Sequence, residues 1–252
     1  VTEPILQAQA LRKSFETSNG DLLAVAKISF AVSGGEFLCI VGPSGCGKTT
    51  LLQLLGGLLP ATEGQVLLAG VPLTEPQPDI SIVFQKPDLM PWRTVLDNVL
   101  LPLQLASVPG HQARQQAEET LALVGLGDFA SAYPKALSGG MEQRVAVARA
   151  LVQQPRILLL DEPFGALDAL TRERLNHELL RLWQDQALTA IMVTHNIREA
   201  VYLADRVLVL SPRPATISAE FTIDLPRPRP KGIEYSQAFG TLAYEIRQAI
   251  RE

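Results

Sequence analysis

The sequence predicts an α/β fold built on a parallel sheet, and three observations carry that prediction. Short apolar strands at 37–41, 157–160, 189–193 and 207–210 alternate with helical stretches, the order that parallel sheets require. Residues 5–15, 23–32 and 36–40 alternate apolar and polar positions, the period of strands, and mark a β region ahead of the core. From Thr94 to Val152 the period becomes helical, with Ala113, Ala117, Leu121 and Val124 on one face, which indicates a separate helical block.

Taken in order, glycines at 20, 34 and 35 punctuate the first three strands. Residues 49–59 read as a buried helix that Pro60 ends. Short strands follow at 65–68 and 80–84, then an irregular segment, 85–92, containing Pro87 and Pro91. Gly125 is placed to stop the helix that contains Leu121. A helix between the 157–160 and 189–193 strands carries Leu175, Leu179 and Leu182 on its apolar face. The tail holds a β segment at 216–225, a proline-rich stretch at 226–230 and a final helix over about 235–251, and no internal repeat is present.

The totals narrow the function classes. A chain of 252 residues with 47% apolar and 19% charged residues has ample material for a core. A net charge of −4 gives no basic footprint for neutralising phosphates along a nucleic acid, so nucleic acid is not an expected partner. Cys39 and Cys46 are too few for a disulfide framework and do not belong to a zinc-type cluster. No apolar run approaches the ~18 residues of a membrane span and the first residues lack a signal-type core, so the chain is expected not to enter a bilayer itself.

The chemistry begins at Gly42-Pro43-Ser44-Gly45-Cys46-Gly47-Lys48-Thr49, which fits G-x-x-x-x-G-K-[ST] between a strand and a helix, the context that motif requires. The glycines allow backbone N–H groups to converge on phosphate oxygens, and the helix N-terminus adds the positive end of its dipole. Lys48 is expected to reach the β and γ phosphates of ATP, and Thr49 to ligate Mg²⁺. The strand 157–160 runs into Asp161 and Glu162, at the sheet edge where ligands bind. Asp161 is expected to hold Mg²⁺. Because adjacent strand side chains point to opposite faces, Glu162 is left to position or deprotonate the attacking water as catalytic base. Leu137-Ser138-Gly139-Gly140 precedes a helix over about 141–149 and forms a second glycine-rich helix start suited to an anion. Either the chain takes a second phosphate ligand, or this start faces a nucleotide held by another copy. His195 ends the 189–193 strand region and suits a γ-phosphate contact, whereas His111 and His177 lie in polar helical surroundings. Gln85 ends another strand, and its side-chain carbonyl suits Mg²⁺ and the attacking water. Cys46, inside the loop, is expected to be alkylated in competition with ATP, and Cys39, on the core strand, to be unreactive.

With these pieces in this order, the sequence resembles the nucleotide-binding subunit of an ABC transporter over nearly the whole chain. The resemblance implies a P-loop NTPase with a RecA-like parallel-sheet core, an N-terminal antiparallel β subdomain and an inserted α-helical subdomain. It implies a core with β subdomain at 1–90 and 155–212, a helical and signature subdomain at 91–154 and a C-terminal extension at 213–252. It assigns Gly42 to Thr49 as the Walker A loop, with Thr50 beside it. Gln85 becomes the Q-loop, Leu137 to Met141 the signature, and Ile157 to Glu162 Walker B. Gly165-Ala166-Leu167-Asp168 becomes the D-loop and His195 the switch histidine. Phe15 falls where the family carries an aromatic that stacks on adenine. Two copies would pack head to tail, with Ser138 and Gly140 of one completing the phosphate site of the other, so that ATP closes the dimer and hydrolysis releases it. Met141 stands where glutamine is frequent.

The run from Pro87 to Val99, with Pro91-Trp92-Arg93-Thr94-Val95 and Asn98-Val99, is similar to importers of the nitrate, sulfonate, taurine and bicarbonate group, as is Arg213-Pro214. Pyrimidine-precursor importers have similar cassettes, and a soluble cassette ATPase is the reading from a different class. The importer resemblance implies membrane permease subunits docking near Gln85 to Val99, with Met90 and Trp92 in the contact. It also implies an extracytoplasmic solute-binding protein acting indirectly, and a peripheral location at the cytoplasmic face of the membrane.

Overall fold

A computed structural model describes residues 3–18 and 20–250. Its strands are β1 (Pro4–Thr17), β2 (Gly20–Ser33), β3 (Phe37–Val41), β4 (Glu63–Leu68), β5 (Val71–Pro72), β6 (Ile80–Val83), β7 (Ile157–Asp161), β8 (Thr189–Thr194), β9 (Arg206–Leu210) and β10 (Ile217–Thr222). The α-helices are α1 (Lys48–Leu55), α2 (Val95–Leu105), α3 (Gly110–Leu123), α4 (Gly139–Leu151), α5 (Ala169–Gln186), α6 (Ile197–Leu203) and α7 (Gln237–Ala249). Two compact units divide these elements: Val1–Gln77 with Thr189–Glu252, and Pro78–Leu188. The α/β P-loop NTPase class expected from the sequence is the fold observed, with parallel pairing around β3 and between β6 and β7.

In the first unit, β1 pairs antiparallel with both β2 and β4, and β5 extends the sheet in the order β2-β1-β4-β5. β1 buries Ile5, Leu6, Ala8 and Leu11, and an irregularity between Ala8 and Leu11, with Ala10 left-handed at φ 50°, interrupts the strict alternation of a one-sided sheet. The second sheet segment is different. β3 lies between β8 and β9, parallel to both, and β10 runs antiparallel along β9. All five residues of β3 and all six of β8 are buried, as expected of parallel strands covered on both faces. The expectation that 36–40 alternates is therefore corrected: Phe37, Cys39 and Val41 are as buried as Leu38 and Ile40.

Helix ends also differ from expectation. α1 stops at Leu55, four residues before the expected 59, because the Gly56 N–H closes on the Leu52 carbonyl, the Gly57 N–H closes on the Leu54 carbonyl, and Gly57 turns left-handed at φ 69°. Pro60 lies beyond an end already made. α4 begins at Gly139, not at Met141, with Ser138 as its N-cap. β10 covers only 217–222 of the expected 216–225, and α7 begins at Gln237. The expected end of that last helix at Arg251 lies outside the described residues.

Two arginines fasten the extension beyond β10 to the C-terminus of α6. Arg229, buried, donates to the carbonyls of Tyr202 (3.1 Å), Ala204 (2.7 Å), Leu225 (2.5 Å) and Pro226 (3.3 Å). Arg227 donates to the Leu203 carbonyl and Asp205. Helix C-terminal carbonyls lack intrahelical donors and carry partial negative charge, so cations belong there. Burial, and then the charge of Arg227, push the Arg229 guanidinium down to about 10, still cationic at neutral pH. Replacing Arg229 by Met leaves four carbonyls without this donor, each costing about 1–3 kcal/mol where water does not return. The expected result is a loss of about 3 kcal/mol, read as a lower urea midpoint; an unchanged midpoint would mean that the carbonyls find other donors.

In the second unit, β6 and β7 are parallel, and α2, α3 and α4 pack on one another. α2 and α3 bury Leu96, Val99, Leu103, Ala113, Ala117 and Leu121, the helical spacing read in the sequence. Along α5, Leu175, Leu179 and Leu182 are buried as that pattern predicts.

Candidate functional site

The first unit carries the phosphate-loop motif between β3 and α1. Gly45 and Gly47 have φ of 73° and 119°, conformations in which a side chain is strained. A Cβ on Gly47 would also come within 3.0 Å of the Ala24 carbonyl oxygen. No side chain caps α1 and no acid stands in its first turn, so its leading N–H groups and dipole end are open to an anion. Lys48 is 6% exposed, and its Nζ donates to the carbonyls of Gly42 (3.0 Å) and Pro43 (2.9 Å). The ammonium is therefore held against its own loop, with its charge beside the uncapped helix start. Ser44, Gly45 and Thr49 are exposed, while Pro43 and Thr50 are half-buried. The cation, the open N-terminus and the left-handed glycines fit a polyphosphate.

Cys46 departs from simple accessibility. Its thiol is 1% exposed, and a Cβ on Gly42 would lie 3.1 Å from its sulfur, so it packs behind the loop. Burial pushes the thiol up, partly offset by Lys48 and Arg213. Alkylation then requires the loop to open and is slower than the motif position alone implies. Cys39 is fully buried and burial raises its thiol further, in keeping with an inert core residue.

Phe15, half-buried on β1, has the Lys13 ammonium 5.2 Å from its ring centre; the two side chains share a strand face. His195 is exposed just after β8. Its neighbours are fixed: Thr194 Oγ1 donates to buried Glu199 (2.6 Å) and accepts the Asn196 N–H (3.0 Å), while Asn196 caps α6 at the Glu199 N–H (3.3 Å). Glu199 was not singled out from the sequence. Its only available signal was an acid one turn into a short apolar helix.

The second unit carries the carboxylates. Asp161, 7% exposed, closes β7. Glu162 has already left the strand, with φ of 44°, a left-handed conformation uncommon for a residue with a side chain. Glu162 therefore follows a turn of the backbone and not the strand pleat, which corrects the sequence argument. Gln85 is exposed beyond β6. A Cβ on Gly165 would lie 3.4 Å from Gln85 Nε2 and 3.5 Å from Glu162 Oε2, so the polar ends of both residues converge over this glycine.

Ser138 accepts the Met141 N–H at 3.4 Å, while Gly139 and Gly140 form the first turn of α4. A Cβ on Gly140 would stand 2.9 Å from Thr171 Cγ2 and one on Gly139 3.6 Å from Leu167 Cδ2. Asp168 caps α5 by accepting the Thr171 N–H (3.0 Å), and those Thr171 bonds hold its carboxyl below the usual carboxylate range.

The sequence placed Asn98 in the Pro87 to Val99 run without a role and did not single out Arg149, and these two residues shape 87–94. Asn98, fully buried one turn into α2, accepts the Met90 N–H (2.7 Å) and donates to the carbonyls of Met90, Arg93 and Thr94. Arg149 on α4 donates to the carbonyls of Pro87 (2.6 Å) and Asp88 (3.1 Å). Held this way, the loop presents Trp92 at 72% exposure, with Met90 half-buried. Asn98→Ala removes four bonds at once, and the expected result is faster tryptic cleavage after Arg93 with a stability loss of about 2 kcal/mol. Unchanged cleavage would show that Arg149 alone holds the loop.

Comparison with known proteins gives consistent matches. A family model described as ABC transporter matches residues 25–165. An uncharacterized ABC transporter ATP-binding protein of Methanocaldococcus jannaschii is 50% identical over 89% of this chain and 84% of its own length. The nitrate import ATP-binding protein of Synechococcus elongatus is 43% identical, covering 92% of this chain and 85% of its own. The taurine import ATP-binding protein of Rhizobium johnstonii is 44% identical, covering 89% and 87%. Among solved structures, a dimeric ATP-binding cassette in a post-hydrolysis state bound to ADP and Pi matches with a TM-score of 0.77 at 32% identity. That match covers 88% of this chain and 100% of the other.

Proposed function

This chain belongs to the ABC transporter ATP-binding family, and from that premise we propose that it drives uptake of a small oxyanion-type solute as the ATPase of an importer. It is an ATP-binding, ATP-hydrolysing cassette of importer type. The observation that carries its chemistry is the phosphate loop: an uncapped α1 N-terminus with Lys48 buried beside it. Lys48 binds the β and γ phosphates, and backbone N–H groups of residues 42–50 surround them. Phe15 stacks on the adenine. Glu162 orients and deprotonates the attacking water, Gln85 orients that water with it, and His195 contacts the γ-phosphate. Thr49, Gln85 and Asp161 offer the hard oxygen donors that would hold Mg²⁺, which would neutralise charge developing on the phosphates.

Two copies close over the nucleotides, each lending Ser138, Gly139, Gly140 and Asp168 to the other's site. The dimeric state of the post-hydrolysis relative supports this reading. The division into a core with β subdomain (1–90, 155–212), a helical subdomain (91–154) and an extension (213–252) belongs to the same proposal. The segment from Gln85 to Val99, with exposed Trp92, receives the permease at the cytoplasmic face. Among the described residues no helix is long and apolar enough to cross a membrane. The solute class follows relatives named for nitrate and taurine import.

Two measurements test this. The chain should co-purify with a multi-span membrane protein, and a strain lacking it should lose uptake of nitrate, a sulfonate or taurine. Loss confined to a pyrimidine overturns the solute class; DNA binding with no membrane partner overturns the importer.

A further inference from the structure

The segment leaving β9 passes behind the phosphate loop and meets it at three glycines. A Cβ on Gly42 would stand 3.1 Å from the Cβ and carbonyl oxygen of Leu210, and one on Gly47 3.6 Å from the Ala215 Cβ. Between them, Arg213 donates through Nε (3.1 Å) and Nη2 (2.6 Å) to the carbonyl oxygen of Gly45. The strap is fixed at both ends. Leu210 belongs to β9, while Ala215 donates to the Ala24 carbonyl (3.0 Å) and accepts the Ala26 N–H (2.8 Å) on β2. Ser211 and Thr216 close the turn through a backbone bond of 2.9 Å.

We propose that Arg213 is a positioning residue for nucleotide binding, holding the Gly45–Cys46 peptide in the orientation that the phosphates need. The peptide unit is planar and trans, so its carbonyl and N–H point in opposite directions. A fork that holds the Gly45 oxygen outward turns the Cys46 N–H into the loop, where it donates to the Pro43 carbonyl at 3.3 Å, a long bond that the fork supports from the other side of the peptide. Gly45 is exposed and left-handed, and glycine on its own fixes no orientation. A planar guanidinium giving two bonds to one carbonyl supplies that restraint from an anchored strap. The Arg213 charge is also felt at Cys46, where it opposes the effect of burial on the thiol. Removing the fork leaves the peptide held only by the long Cys46 N–H bond to Pro43, so that nucleotide binding has to order it further.

This inference rests on reading residues 42–49 as the phosphate cradle. Its test measures ATP and ADP dissociation constants, KM and kcat for Arg213→Gln and Arg213→Lys, with Lys48→Ala as control, at low salt and at about 0.5 M salt. Arg213 is exposed, so its replacement leaves the core intact. Arg213→Gln should weaken ATP and ADP alike by about tenfold and raise KM with kcat at saturating ATP nearly unchanged, the pattern of lost uniform binding. The loss should persist at high salt, and Arg213→Lys, with one directed donor, should recover part of it. Unchanged affinity in Arg213→Gln, a loss that vanishes with salt, or a loss confined to kcat overturns the proposal. If the native chain itself binds neither ATP nor ADP, it is the cradle reading that fails.

Discussion

Glu162→Gln should lower ATP turnover by on the order of 10²–10⁴-fold, the range supplied by a positioned general base, while ATP binding stays close to native. The amide keeps the size of the side chain and an oxygen acceptor but cannot take a proton at neutral pH. The backbone argues for this position independently. Glu162 is held at φ 44° directly after a fully buried strand, and the left-handed turn carries its carboxylate to the side of Gly165 that Gln85 also faces. Because binding survives and hydrolysis does not, the substituted chain should accumulate as an ATP-dependent dimer, read as a shift to twice the mass in size-exclusion chromatography. Turnover at the native rate would remove Glu162 from its role and leave Gln85 and Asp161 as the polar groups nearest that chemistry.

Lys48→Ala should raise the ATP dissociation constant by about 10–100-fold, because hydrogen bonds to charged groups contribute about 1.5–3 kcal/mol each. The structure sharpens why an arginine or a distant surface lysine would not substitute. Lys48 Nζ is directed by two carbonyls of its own loop, Gly42 and Pro43, and its stem is buried at the base of α1. The ammonium is thus fixed before nucleotide arrives, so little side-chain entropy is lost on binding. Titration with a fluorescent ATP analogue measures the effect, and an affinity equal to that of the native chain would show that the backbone N–H groups suffice. The two substitutions should separate the steps, Lys48→Ala acting on binding and Glu162→Gln on the reaction.

The strands that belong to the core were readable from the chain because parallel strands buried on both sides leave continuous apolar runs, as at 157–160 and 189–193. The helical block was readable through Ala113, Ala117 and Leu121, whose spacing is local and is kept in α3. Boundaries were less legible. The end of α1 was assigned to Pro60, although the Gly56-Gly57 pair ends it earlier through cap bonds that cost a helix nothing in sequence periodicity. The start of α4 was placed after Gly139 and Gly140, since glycine is a poor helix former, yet the Ser138 cap takes both into the first turn.

What the sequence determined by itself was the order of its chemical parts: a phosphate loop with Lys48 and Thr49, a strand ending in Asp161 and Glu162, Ser138-Gly139-Gly140, Gln85 and His195. Each is a short run whose residue types and neighbouring strand or helix are set within a few positions. What only tertiary structure decided were the groups that hold those parts in place. Asn98 binding the loop of Trp92, Arg149 gripping Pro87 and Asp88, Glu199 fixing the approach to His195, and Arg213 reaching Gly45 join residues separated by 4 to 168 positions. Except at Glu199, which accepts the Thr194 hydroxyl, these are bonds to backbone carbonyls, which place no demand on the identity of the acceptor residue. Such partners leave no pattern along the chain and become visible only when folding brings donor and carbonyl together.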